Sequence, residues 1–177
     1  MISICFAGVT GWTAPPILAA IDAADDLTLT SGVSRSAAGS GAVYATVAQA
    51  LAAAPADVLV DFTSAAAVRV NAWAAVEAGV HVVIGTSGLT GDDYAELEGP
   101  VEARGAEIGG VRVHSVRLPS FVVSTEVVFG GPGERLIMRH DPGLTPAPYV
   151  AGTLLAVRRV AGAVGVRRGL DSLLFED

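Results

Sequence analysis

The chain has 177 residues, 51% of them hydrophobic and 16% charged, with a formal net charge of −7. That length supports one good core or two small ones, and the acidic balance argues against general nucleic-acid binding. All eleven basic residues are arginine, which excludes Schiff-base chemistry and a lysine general acid, because arginine holds its proton and serves to bind or polarise.

The first predicted strand is a short apolar run rich in strand formers, residues 2–7, and it ends at Gly8. Its single cysteine, Cys5, rules out an intramolecular disulfide and reads as a small buried apolar residue. The turn Gly8, Val9, Thr10, Gly11, Trp12, Thr13, Ala14 then leads into an alanine-rich helix opened by Pro15 and Pro16. Gly8 suits a tight turn off the strand, Gly11 lets the backbone approach a pyrophosphate, and Ala14 lets the helix pack closely on a sheet. The helix is expected to point unsatisfied N–H groups at the phosphates, with proline in its first turn costing no needed donor. The first 21 residues are uncharged but lack the basic start of a secretory leader.

The segment from Asp22 to Asp26 closes this helix, and residues 27–33 form a second strand followed by Ser34, Arg35 and Ser36. No carboxylate occurs from residue 27 to 56, so the ribose-binding acid of an NAD-type site is missing there. Arg35 among small hydroxyls suits a 2′-phosphate instead, which makes NADP(H) the preferred cofactor and NAD(H) the alternative. A solvent-exposed loop arginine is the plain reading of the same residue. Residues 43–54 read as a helix and 57–63 as a strand buried on both faces, with Ser64 capping a helix through residue 76. His81, Val82, Val83 and Ile84 make the next strand, closed by Gly85, Thr86, Ser87 and Gly88.

The alternation of strand and helix points to an α/β, doubly wound parallel sheet of Rossmann-like type over residues 1–104. Four strand ends then converge on one crevice. Residues 105–177 form a shortened antiparallel α+β region: strands over 111–118, 125–129 and 134–140, a turn at Gly130, Gly131, Pro132 and Gly133, and a helix over 149–160. The longest uncharged stretch away from the N-terminus, residues 36–56, is broken by glycine, serine, glutamine and proline and does not read as a membrane span. A cytoplasmic protein without membrane association is expected.

The chain resembles the dihydrodipicolinate reductases, NAD(P)H-dependent enzymes of lysine biosynthesis. The resemblance rests on the glycine turn, on Asp61-Phe62-Thr63, on Gly85-Thr86-Ser87-Gly88, and on the C-terminal stretches VHSVRLPSFVV, EVVFGGPGERLIMRHD and AGTLLAVRRVAG. It implies that residues 8–14 hold the pyrophosphate and Arg35 the 2′-phosphate. It also implies that Phe62, Thr63, Gly85, Thr86 and Ser87 line the nicotinamide end, and that the chain forms a dimer or tetramer through its C-terminal sheet. Two departures stand out. Trp12 and Thr13 replace the family's arginine and methionine, with Ala14 in place of its last glycine. Between residues 98 and 111 the family's central segment is absent, and with it the paired histidines, lysine and hydroxyl turn that supply the general acid and grip the substrate carboxylates.

The resemblance therefore implies a reductase that delivers hydride to a small imine or activated alkene, with the family's own substrate not carried over and the catalytic acid unassigned. Candidate replacements are His81, His114 and His140, Glu126 if buried, Arg117 and Arg139 for a carboxylate, and Asp61, whose plain role is to cap the following helix. No metal site is expected. Two alternatives use the same residues: a scaffold recruited for dehydration, isomerisation or cyclisation, and a non-catalytic binding or assembly protein built on the C-terminal sheet.

Overall fold

The computed structural model describes residues 1–36, 41–86, 125–163 and 165–175, with residues 89, 93, 107–108 and 111–112. Five parallel strands form its main sheet: β1 (Ile2–Ala7), β2 (Leu27–Val33), β3 (Val43–Tyr44), β4 (Val58–Asp61) and β5 (His81–Ile84), in the order β3-β2-β1-β4-β5. Helix α1 (Ala14–Asp22) connects β1 to β2, α2 (Val47–Ala53) leads into β4, and α3 (Val68–Glu77) joins β4 to β5. The chain order reverses between β1 and β4, which places a switch point beside the end of β1.

Strand alternation divides the core into two layers. Ile4, Phe6, Val58 and Val60 face Ile17 and Ile21 of α1 and Val157 of a later helix, α4 (Pro148–Arg159). Cys5, Ala7, Val33 and Leu59 face Val47 and Ala50 of α2 and Ala75 of α3. Residues 4–7 of β1 and 58–61 of β4 are buried on both faces, as a parallel sheet between helices requires. β2 carries a bulge: Ile4 pairs with Leu29 and Cys5 with Ser31, and the extra Thr30 bonds Ile4 O through its hydroxyl at 3.1 Å. The Rossmann-like doubly wound sheet expected from the sequence is the observed fold.

Two boundaries differ from expectation. Residues 43–54 are not one helix, because Val43 and Tyr44 pair with Gly32 and Val33 as β3. Thr46, extended at φ −135°, then caps α2 by accepting the Gln49 N–H at 3.2 Å. Ser64 does not cap α3 through its side chain. Its main-chain carbonyl accepts from Ala67 and Val68 N–H, and the helix begins at Val68 with Ala67 as a non-capping N-cap.

The short strands β6 (Glu107–Ile108) and β7 (Val111–Arg112) pair antiparallel, and β8 (Thr125–Gly131) and β9 (Glu134–His140) form a regular hairpin. The hairpin strand runs two residues further than expected, through Gly131, and Pro132 and Gly133 make the turn, Gly133 at φ +79°. A 3-10 turn, Val160–Gly162, follows α4, and α5 (Asp171–Phe175) ends the described chain. α4 packs on α1, β4 and β5, so a C-terminal element completes one face of the N-terminal sheet. The boundary at 104/105, the helix expected over 90–104 except Asp93, and the strand beyond Arg112 lie outside the described residues.

Candidate functional site

The carboxyl ends of β1, β2, β4 and β5 meet where the chain order reverses. Gly8 leaves β1 at φ +97°, a region that favours glycine, and a Cβ there would stand 2.5 Å from the Phe62 carbonyl oxygen. Gly8 and Val9 N–H donate to Val33 O at 2.9 and 3.3 Å, tying the turn to the end of β2. A Cβ on Gly11 would come to 3.0 Å from Gly8 O, and Gly11 N–H already donates to that oxygen at 2.8 Å. Gly8 is therefore required by its backbone angle and by close backbone approach, whereas at Gly11 a side chain would be tight against Gly8 O without being excluded.

The N-terminus of α1 departs from expectation. Ala14 N–H donates to Gly11 O at 3.2 Å, and Pro15 and Pro16 have no N–H, so the first helical turn offers no free donor. The donors available to an anion belong to the preceding turn, at Thr10, Trp12 and Thr13. Thr13 makes no side-chain cap, and Trp12 is 53% exposed.

Thr10 and Ser34 hydroxyls are 2.9 Å apart, and Ser34 and Ser36 hydroxyls 3.1 Å apart, which links the glycine turn to the segment that carries Arg35. Arg35 is exposed, and among the described residues it makes no ion pair.

On the other side of the switch point lies a buried acid. Asp61 is fully buried at the end of β4. Its Oδ1 accepts from Thr63 N–H at 2.9 Å and from the Thr63 and Thr86 hydroxyls, each at 2.7 Å; its Oδ2 accepts from Asn71 Nδ2 at 2.8 Å. Asp61 thus joins the ends of β4 and β5 to α3 and does not cap that helix. Asn71 went unnoticed in the sequence, although an asparagine in an otherwise apolar helix, ten residues beyond a strand-end acid, was a usable signal. Burial pushes the Cys5 thiol up, Ser31 partly offsets this through a hydrogen bond, and the nearby Asp61 charge adds to the upward push.

Phe62 lies 6.1 Å from Phe6, ring over ring, and 6.3 Å edge-on from Tyr149 of α4. A Cβ on Gly85 would stand 2.2 Å from two carbons of the Phe62 ring, so any larger residue at this strand end requires that ring to move. Phe62, Gly85, Tyr149, Thr153 and the β5 strand line a cavity of about 720 Å³ that follows the outer edge of β5.

Gly8, Gly11, Phe62, Thr63, Gly85 and Thr86 are thus brought to one crevice. Ser87, His114 and Arg117 lie outside the described residues. Glu126 is exposed and sits opposite Arg139 in the hairpin at 3.7 Å, which removes the basis for a buried acid. Arg139 also pairs with Asp141 at 2.7 Å, and His81 and His140 are both exposed. The described residues contain no cluster able to hold a metal ion, and no helix among them is long and apolar enough to cross a membrane.

A family model described as dihydrodipicolinate reductase, N-terminus, matches residues 2–111. A 4-hydroxy-tetrahydrodipicolinate reductase from Mycolicibacterium smegmatis is 45% identical over 87 residues, 49% of this chain and 35% of that protein. Its counterpart from Dictyoglomus turgidum is 42% identical over 86 residues, covering 49% and 32%. These alignments span about a third of the relatives' own length. A third such reductase, from Mycobacterium sp. strain KMS, aligns over 246 positions at 26% identity, covering 94% of this chain and 96% of the relative, an alignment that has to cross gaps in a chain of 177 residues. Among solved structures, dipicolinate-bound dihydrodipicolinate reductase from Paenisporosarcina sp. TG-14 superposes with a TM-score of 0.70 at 16% identity, over 97% of this chain and 99% of that one, and so shares its fold. With the family model matching well over half of its length, the chain belongs to the dihydrodipicolinate reductase family as a shortened member.

Proposed function

We propose that the chain binds a nicotinamide dinucleotide, NADP(H) in preference to NAD(H), at the carboxyl ends of its parallel strands and acts as a reductase on a small imine or activated alkene. The observation that carries this reading is the Gly8–Gly11 turn at the switch point, where a side chain on Gly8 would collide with backbone, one on Gly11 would sit tight against it, and main-chain N–H groups of the turn are available to an anion. Thr10, Trp12 and Thr13 N–H would hold the pyrophosphate, with Val9 and Ala14 shaping the turn around it. Arg35, flanked by Ser34 and Ser36, would hold a 2′-phosphate. Phe62, Thr63, Gly85, Thr86 and Ser87 would border the nicotinamide end.

When bound, the dinucleotide supplies a hydride. The chain's own part is to orient the ring between Phe62 and the two threonines, and to receive the acceptor in the cavity beside Phe62 and Gly85, whose lining is mainly apolar but includes His81, Arg167 and Arg168.

We also assign the β8–β9 hairpin a self-association role. Val127, Phe129, Leu136 and Met138 share one face and are 38%, 53%, 59% and 51% exposed, so a second copy of the hairpin would cover them in a dimer or tetramer. A cytoplasmic protein without nucleic-acid partners fits its acidic charge.

Replacing Gly11 with valine tests the binding reading. Fluorescence titration should lose NADPH binding while the unfolding midpoint changes little, whereas unchanged affinity would assign the crevice to another ligand.

A further inference from the structure

We infer that Asp61 fixes the hydrogen-bonding polarity of the Thr63–Thr86 end of the crevice, so that this end accepts ligand groups that donate hydrogen bonds and rejects those that only accept. The inference rests on the dinucleotide reading and names Asp61, Thr63 and Thr86 as its specificity-determining residues. Every contact to the buried Asp61 carboxylate comes from a donor: Thr63 N–H, the Thr63 and Thr86 hydroxyls, and Asn71 Nδ2.

A hydroxyl has one proton and two lone pairs. The hydroxyl protons of Thr63 and Thr86 are directed at Asp61 Oδ1, each over 2.7 Å, with the Asp61 main-chain oxygen a second acceptor 3.1 Å from Thr86, so both hydroxyl oxygens keep only lone pairs for any other partner. Asn71 Nδ2 approaches Thr63 Oγ1 at 3.4 Å, which leaves Thr86 with the greater spare capacity. A primary carboxamide turned here presents N–H, whereas a ketone or carboxylate oxygen would face lone pair against lone pair. Asp61 touches no ligand in this scheme; it positions two hydroxyls and sets the direction of their protons.

The test compares NADPH with its 3-acetylpyridine analogue, in which a methyl group replaces the amide NH₂ and the carbonyl is retained. The reference ligand is 2′-phospho-ADP-ribose, which has no pyridine ring. The wild-type protein should bind NADPH about tenfold more tightly than the analogue, the ratio expected when one part-buried hydrogen bond goes unmade. Thr86→Val should bring the ratio to within about twofold and Thr86→Ser should restore it, with binding of the reference ligand unchanged throughout. Thr63→Val, measured in the same way, should narrow the ratio less, and it stands in if Thr86→Val fails to fold. Equal affinities for NADPH and the analogue in the wild type, or a ratio that survives Thr86→Val, would overturn the polarity assignment and leave the dinucleotide reading intact. No binding of any of the three ligands would overturn both.

Discussion

The parallel sheet and the β8–β9 hairpin both carry apolar strand residues and treat them in opposite ways. In the sheet, Ile4, Phe6, Leu59 and Val60 are completely buried between helices contributed by both ends of the chain. In the hairpin every described residue is exposed, including Phe129, Ile137 and Met138. Two strands with regular cross-strand pairing do not make a core, since a hairpin needs packing on a face before it is independently stable. The sheet thus satisfies itself within one chain, and the hairpin leaves its apolar side chains exposed, which is what the proposed self-association would cover.

The largest expected effect separates these regions. Phe6→Ala removes a ring buried against Phe62 and should cost about 3–5 kcal/mol of unfolding free energy in chemical denaturation. Phe129→Ala should change monomer stability by no more than about 0.5 kcal/mol and act on association instead, as seen by light scattering. Equal losses in the two variants would erase the contrast.

Within the sheet, Gly8→Ala forces a side chain into positive φ and against Phe62 O, and should cost about 1–3 kcal/mol together with nucleotide affinity. The same substitution at Gly130, where a Cβ meets nothing within 4 Å, should be tolerated. Arg35→Ala should weaken NADPH about tenfold and NADH hardly at all, with no loss of stability because the residue is exposed. An equal effect on both nucleotides would remove Arg35 from the phosphate site.

The smallest effect is a matter of pH. Bonds from the Ser3 hydroxyl and N–H hold Asp57 below the ordinary aspartate value, and the two-pronged Arg158 contact does the same for Asp26, tying α4 to the turn before β2. A lowered folded-state pKa contributes stability that is complete above the unfolded value and is lost as pH falls through the folded one. The urea midpoint should therefore hold steady down to about pH 4 and decline below it. Asp26→Asn should remove only a small part of that decline, since the pair is exposed.

The regular parts of this chain were legible because local pattern and tertiary demand agree there. The strands at residues 27–33, 81–84 and 134–140 were placed at their observed limits. β3 was missed because two residues, Val43 and Tyr44, carry too little pattern to outweigh the alanine-rich run after them; only pairing with β2 defines them as a strand. At the crevice, the glycines were readable because their requirement is local. The Asp61–Thr63–Thr86–Asn71 cluster was not, because its members come from β4, the end of β5 and α3, and their relation exists only in the folded sheet. The two prolines of α1 were read as harmless to anion binding, yet they shift the available donors into the turn before the helix.

Calorimetric titration of the intact chain with NADPH and with NADH tests the central claim most directly. The account expects saturable one-site binding of NADPH, weaker binding of NADH, and loss of both in Gly11→Val. Absence of heat with either nucleotide, under conditions where the protein is folded by its unfolding transition, would contradict it and reduce the glycine turn to a connection between strand and helix.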